Sequence, residues 1–197
     1  LGPENMLGMF AGLLTGTPLF GQRWQVVCKS PLTGGWGDAN RGGDFGGVLK
    51  LSGWAGIMFF GKAEKPVYLV IEDDRFELRD ASDQWGQLAI DNEMMLKQRH
   101  GKKASVANIG PAGETLSLIS GVCNDHGRLA ARSGVGAAHG ADRRQCASAP
   151  AQELRRVACY GVADVIWRDV AYARRDLALH GQSRDARVVV TRQHAKF

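Results

Sequence analysis

Short segments in which apolar and polar side chains alternate recur along the chain, and this period of two predicts strands. Residues 23–28 (RWQVVC) read as one, 48–52 as a second, and 56–61 (GIMFFG) and 66–72 (PVYLVIE) as two more joined by KAEK. Asp73 and Asp74 mark a turn, 76–79 (FELR) a further strand, and 105–109 and 116–122 two later ones separated by a GPAGE turn. A single stretch has helical spacing, 90–99 (IDNEMMLKQR), and reads as an exposed amphipathic helix. Strands dominate, so the expected fold class is α+β and β-rich.

Two glycine-rich segments interrupt the alternation. Residues 28–47 (CKSPLTGGWGDANRGGDFGG) hold seven glycines in twenty, with Lys29, Asn40 and Arg41 among them. Such a run is either a floppy surface loop or a backbone cradle whose N–H groups receive an anion. Residues 124–140 (NDHGRLAARSGVGAAHG) repeat the theme with Asp125, Arg128 and Arg132. Arginine presents a planar fork of donors that matches phosphate oxygens. Two such loops on one sheet platform, with Arg23 entering the first, suit a ligand carrying two phosphates or two anionic ends. Neither loop contains GxxxxGK followed by Ser or Thr, and neither sets GxGxxG between a strand and a helix, which argues against P-loop and dinucleotide folds.

Charge changes the picture only once it is located. Residues 1–140 hold 14 Lys plus Arg against 14 Asp plus Glu, whereas 141–197 hold 11 against 6, so the whole net charge of +5 sits in the tail. The same boundary separates 24 of the 26 glycines from a segment with ten arginines and one lysine. The expected division is therefore a neutral domain over 1–140 and a divergent basic tail over 141–197. Three readings of the tail compete: a basic helix over 153–181 that docks on an acidic partner, a disordered tail, and an out-of-frame translation of a GC-rich gene. It carries no nucleic-acid motif, which argues against that partner.

No apolar run reaches the length of roughly 20 residues that a membrane span needs. Residues 1–20 are apolar but lack a basic start and are broken by Pro3, Pro18 and four glycines, so they do not read as a signal peptide. Cys28, Cys123, Cys146 and Cys159 form neither CxxC pairs nor zinc spacing, and a cytoplasmic, reducing setting is the expectation. The plain readings hold for other residues. Asp73 and Asp74 are a solvated turn pair, and His100 sits at a helix end against its dipole. Trp24, Trp36, Trp54 and Trp85 pack the sheets, with facing a ligand the alternative for Trp36 in the glycine segment; Met94 and Met95 lie on a helix face, and His126 is a candidate loop contact.

Six motifs in order carry a family resemblance: LGPENMLGMFAGLLTGTP, KSPLTG, FGKAEKPVY, LRDASDQWG, IGPAGE and NDHGRLAARSGVGA. Over residues 1 to about 140 the chain resembles the N-terminal, pterin-binding domain of tungsten-containing aldehyde:ferredoxin oxidoreductases. The resemblance implies a β-rich platform of two sheets on which a bis-pterin tungsten cofactor lies, with magnesium between the pterin phosphates. It implies cofactor-binding roles for Arg23, Asn40 and Gly42 in the first loop and for Arg128, Leu129, Ala131 and Arg132 in the second. The related tungsten subunit of benzoyl-CoA-type reductases shares this domain. The parent enzyme would oxidise an aldehyde to a carboxylate with ferredoxin as acceptor, through a 4Fe–4S cluster whose CxxCxxxC ligand run is absent from this sequence, and homo-oligomerisation of that parent fits. Alone, the fragment is expected to be inactive. The family's second stretch reads RAAGR where this chain has RLAAR. If that backbone needs positive φ, Ala131 costs about 1 kcal/mol. The coincidence of the motifs' end with the compositional break favours the out-of-frame reading of the tail. A stand-alone anion-binding module with a basic docking tail is the alternative from a different class.

Overall fold

The computed structural model describes residues 6–19, 21–61, 63, 65–72, 75–131 and 133–137, and the backbone of 162–168 and 186–192. Two sheets carry the fold, in agreement with the α+β, β-rich expectation. The first contains β1 (Leu7–Ala11), β2 (Trp24–Lys29), β3 (Trp36–Arg41) and β4 (Trp54–Gly61), with β11 (Ala186–Arg192) on its edge, in the order β11-β4-β1-β2-β3. The second contains β5 (Val67–Glu72), β6 (Arg75–Asp80), β7 (Ser105–Asn108), β8 (Cys123–Asn124), β9 (Arg128–Leu129) and β10 (Val162–Arg168), in the order β6-β5-β10-β7-β8-β9.

The strands predicted around 23–28, 56–61, 66–72, 76–79 and 105–109 form at those places. Two others differ. Residues 48–52 are not a strand but the end of helix α1 (Phe45–Leu51). Phe45 and Leu49, one helical turn apart, are both fully buried, and Gly46 lets the helix lie directly on Trp24: a Cβ there would stand 2.7 Å from the Trp24 Cβ. Residues 116–122 are turns, with Leu116 at φ 61, which a strand cannot contain. The GPAGE turn closes into a single helical turn, α3 (Pro111–Glu114).

The core lies between the sheets. Trp24, Val26, Phe45, Ile57, Phe59 and Ile71 belong to one buried cluster, with the Trp24 and Phe45 rings 4.5 Å apart. A smaller cluster, Tyr68, Val70, Leu96 and Val106 among it, lies on the other face of β5 and β7 beneath α2 (Ala89–His100). This helix, predicted as exposed, is instead packed, and its buried face is largely polar: Asn92, Glu93 and His100 accompany Leu96. His100, the last residue of α2, is buried with Nε2 3.2 Å from the Tyr68 hydroxyl. Trp24 and Trp54 are buried as expected, whereas Trp36 is 73% exposed.

In the tail, 162–168 is a strand rather than part of a basic helix, and the remainder of the stretch read as helical lies outside the described residues. Asp73 and Asp74, Cys146 and Cys159 also lie outside them. Burial pushes the Cys28 thiol up to about 11, which makes it a packing residue and not a nucleophile. Among the described residues no helix is long and apolar enough to cross a membrane.

Gly46→Ala is expected to lower unfolding free energy by about 1–3 kcal/mol, because the methyl has no room against Trp24. Urea titration of the purified chain measures it, and an unchanged midpoint would contradict the close α1–Trp24 contact.

Candidate functional site

The first glycine segment is not one loop. Its middle is strand β3, in which buried and exposed positions alternate: Gly37, Ala39 and Arg41 face inward, and Trp36, Asp38 and Asn40 face solvent. Gly37 fits because a Cβ would stand 3.1 Å from the Ser30 backbone. Alternation sends Asn40 and Arg41 to opposite faces of the sheet, and it divides the predicted site into two groups.

On the exposed face Arg23, just before β2, donates from Nη1 to Asn40 Oδ1 at 3.0 Å. On the inner face Arg41 is 3% exposed, and its guanidinium donates to the Val122 carbonyl, to Asn124 Oδ1 and to the Arg128 carbonyl. The Trp24 ring lies 5.7 Å from the guanidinium carbon. Burial pushes the Arg41 pKa down to about 10, so the group remains charged at neutral pH. Arg41, one of the arginines placed in the two loops by sequence, is therefore used on the protein itself.

The second loop is a tight hairpin. β8 and β9 pair through Asn124 opposite Arg128, and the tip Asp125, His126 and Gly127 has positive φ throughout. Asp and His tolerate this conformation better than most residues, and Gly without cost. Three further bonds fix the tip. The Asp44 backbone N–H donates to Asp125 Oδ2 at 2.6 Å, and the His126 N–H donates to Glu93 Oε2 at 2.8 Å. Lys97 Nζ donates to the other Glu93 oxygen at 2.6 Å, one helical turn along α2. The Gly42 carbonyl accepts from both Trp24 Nε1 and Asn124 Nδ2, each at 3.3 Å. The two glycine segments thus meet along a single seam.

Of the residues expected to bind cofactor, the structure brings Arg23 to Asn40 and brings Gly42 to the hairpin that carries Arg128 and Leu129. Arg23, Asn40, Arg128, Leu129 and Ala131 are exposed, and Gly42 is half-buried. A Cβ on Gly42 would meet nothing within 4 Å, so there is open space above its backbone. Arg132 lies outside the described residues. Ala131 does not occupy the left-handed region, so the cost attached to that conformation does not arise. His126 is exposed at the tip. The residues that sequence reasoning did not single out are Trp24, as a donor to Gly42, and Glu93. The Glu93–Lys97 spacing is a visible helix pair, but nothing local signals that Glu93 also holds a loop.

Among the described residues no group of three or more His, Cys, Asp or Glu side chains is arranged to hold a metal ion. The donor set is instead suited to an anion: arginine forks, an asparagine amide and open glycine backbone.

The two-sheet platform thus carries its paired glycine segments at one seam. The family model described as "Aldehyde ferredoxin oxidoreductase, N-terminal domain" matches residues 1–144, and the chain belongs to that family. It is 48% identical over 145 residues to the tungsten-containing aldehyde ferredoxin oxidoreductase of Thermococcus kodakarensis, covering 73% of this chain and 24% of the relative. To the enzyme of the same name from Pyrococcus furiosus it is 49% identical over 142 residues, 71% of this chain and 24% of that one. The chain thus spans about a quarter of the length of these relatives. Among solved structures, the active-site complex BamBC of benzoyl coenzyme A reductase, in complex with 1,5-dienoyl-CoA, superposes with a TM-score of 0.69 at 34% identity, over 83% of this chain and 22% of that one.

Arg41→Met is expected to destabilise the fold by about 3 kcal/mol, since it orphans two buried acceptors and a part-buried one, and Arg41→Lys to restore less than half of that. Urea titration of both variants checks the ranking.

Burial raises the Asp125 carboxyl above the usual carboxylate range, only partly offset by its bond from Asp44. A raised folded-state pKa means that stability is lost as pH rises from the unfolded value through the folded one. Asp125→Asn removes that slope, so its stability relative to wild type should improve as pH rises above the ordinary aspartate range, as measured by unfolding across that rise.

Proposed function

We propose that this chain forms the base that holds a tungsten–pterin cofactor for an aldehyde-oxidising, ferredoxin-linked enzyme. The observation that carries the reading is the seam: Gly42, with open space above it, is tied through Arg41 to the hairpin bearing Arg128. Its chemistry fits pterin phosphates. Arg23 and Arg128 would supply charge-assisted donors, Asn40 would orient Arg23, and Gly42, Leu129 and Ala131 would present backbone and a low wall to the pterin. Arg132 belongs to the same proposed set. Magnesium, as a counter-ion between phosphates, is part of the proposal.

When bound, the cofactor would supply the metal and dithiolene redox chemistry that removes two electrons as an aldehyde and water become a carboxylate and three protons. The chain's own residues bind and orient; none of its described side chains is assigned a proton-transfer role. Iron–sulfur ligands, the substrate pocket and the ferredoxin contact would come from the three quarters of the relatives' length that this chain does not span. A cytoplasmic setting is part of the same reading.

The structural likeness to BamBC favours a second reading, a tungsten subunit of a benzoyl-CoA-type reductase, in which the same base would serve reduction of the aromatic ring of a benzoyl thioester. Both readings need the same phosphate seam.

Inorganic pyrophosphate is the probe. Arg23→Gln and Arg128→Gln should each weaken its binding to the purified chain by about tenfold, the loss of one charge-assisted contact, with the unfolding midpoint unchanged. Calorimetric titration measures it. Equal affinity in wild type and both variants would remove these arginines from the site.

A further inference from the structure

β5 and β7 do not pair with each other. β10 lies between them, parallel to β5 and antiparallel to β7. Both neighbours are buried on both faces. Leu69 and Ile71 of β5 enter the inter-sheet core while Tyr68 and Val70 enter the cluster beneath α2. Ala107 and Val106 of β7 divide in the same way. Without a strand in the gap, the facing edges of β5 and β7 would carry backbone N–H and C=O groups with no partner in a buried setting.

We propose that the gap between β5 and β7 is a strand-acceptor groove, that the family-matched residues 1–144 do not close it, and that residues 162–168 are its occupant. The register carries the choice of occupant. Val165 stands level with Leu69 and Ala107, Ile166 with Val70 and Val106, and Trp167 with Ile71 and Ser105. The apolar run 165–167 thus coincides with the stretch where the neighbours are buried on both faces, the sequence pattern of a central strand. The polar positions bound that run: Asp164, level with Asn108, falls where the register with β5 shifts between Val162 and Val165, and Arg168, at the strand's end, is level with Glu72. A one-residue slip would bring Asp164 into the apolar rows.

A ladder reads backbone and the spacing of side chains, not family sequence, so a segment outside 1–144 can serve. The second tail strand plays a lesser part: β11 extends the first sheet at the edge of β4 and closes no gap.

Amide hydrogen exchange on the full 197-residue chain tests this. In the wild type, amides of 165–167 should be protected to within about tenfold of those of 69–71. Ile166→Pro should lower protection across 69–71 and 105–107 by about 100-fold while 24–28 keeps its protection. Val189→Pro should spare 69–71 and 105–107 and expose 56–60 instead. Random-coil exchange at 165–167 in the wild type overturns the proposal, and that reading does not depend on whether either variant folds. Protection at 69–71 and 105–107 that survives Ile166→Pro also overturns it, since another segment would then fill the groove.

Discussion

A buried guanidinium held by carbonyl and amide oxygens organises this molecule. Arg41 satisfies its donors on two carbonyls and an amide oxygen of the second sheet, with the Trp24 ring nearby. A charge in that position is costly unless every donor is met. The acceptors come from Val122, Asn124 and Arg128, so the cation is satisfied only when β3 and the β8–β9 hairpin are in register with each other. One side chain thereby makes two glycine-rich segments, more than eighty residues apart in sequence, into one surface.

The rest of the seam reads as support for that junction. Gly42 sits next to Arg41 and offers its carbonyl to Trp24 and Asn124. Asp125 reaches back to the start of α1, and Glu93 reaches from α2 to the strained tip. Three elements therefore hold a hairpin of only two paired residues per strand, which would not persist alone. The rigidity falls on the backbone beneath Arg128 and Gly42, where a bound phosphate would need pre-set donors. Membership of the aldehyde ferredoxin oxidoreductase N-terminal family agrees with such a base.

Much of the platform was legible from alternation. Strands rich in Val, Ile and Phe, such as β4 and β5, announce themselves because both local preference and burial favour them. β3 did not, since Gly37 and Ala39 supply its inward face and leave no hydrophobic period to read. The end of α1, 48–51, reads as strand because Gly46 and Gly47 weaken the helical signal ahead of it, and only the bulk of Trp24 explains why glycine stands at 46. Family motifs located the candidate site, but they did not separate its jobs. Arg23 and Arg41 look alike in sequence; the pleat of β3 turns Arg41 inward to bind protein and leaves Asn40 outside with Arg23. That distinction depends on strand phase, which a glycine-rich stretch conceals.

The claim that Arg41 couples the two segments is tested most directly by a double-mutant cycle on unfolding free energy, pairing Arg41→Met with Asn124→Ala. The account predicts an interaction energy of at least about 1 kcal/mol between the two sites, because the guanidinium and the amide act in one network. Additivity within about 0.3 kcal/mol would contradict it, and the two glycine segments would then be neighbours without being joined.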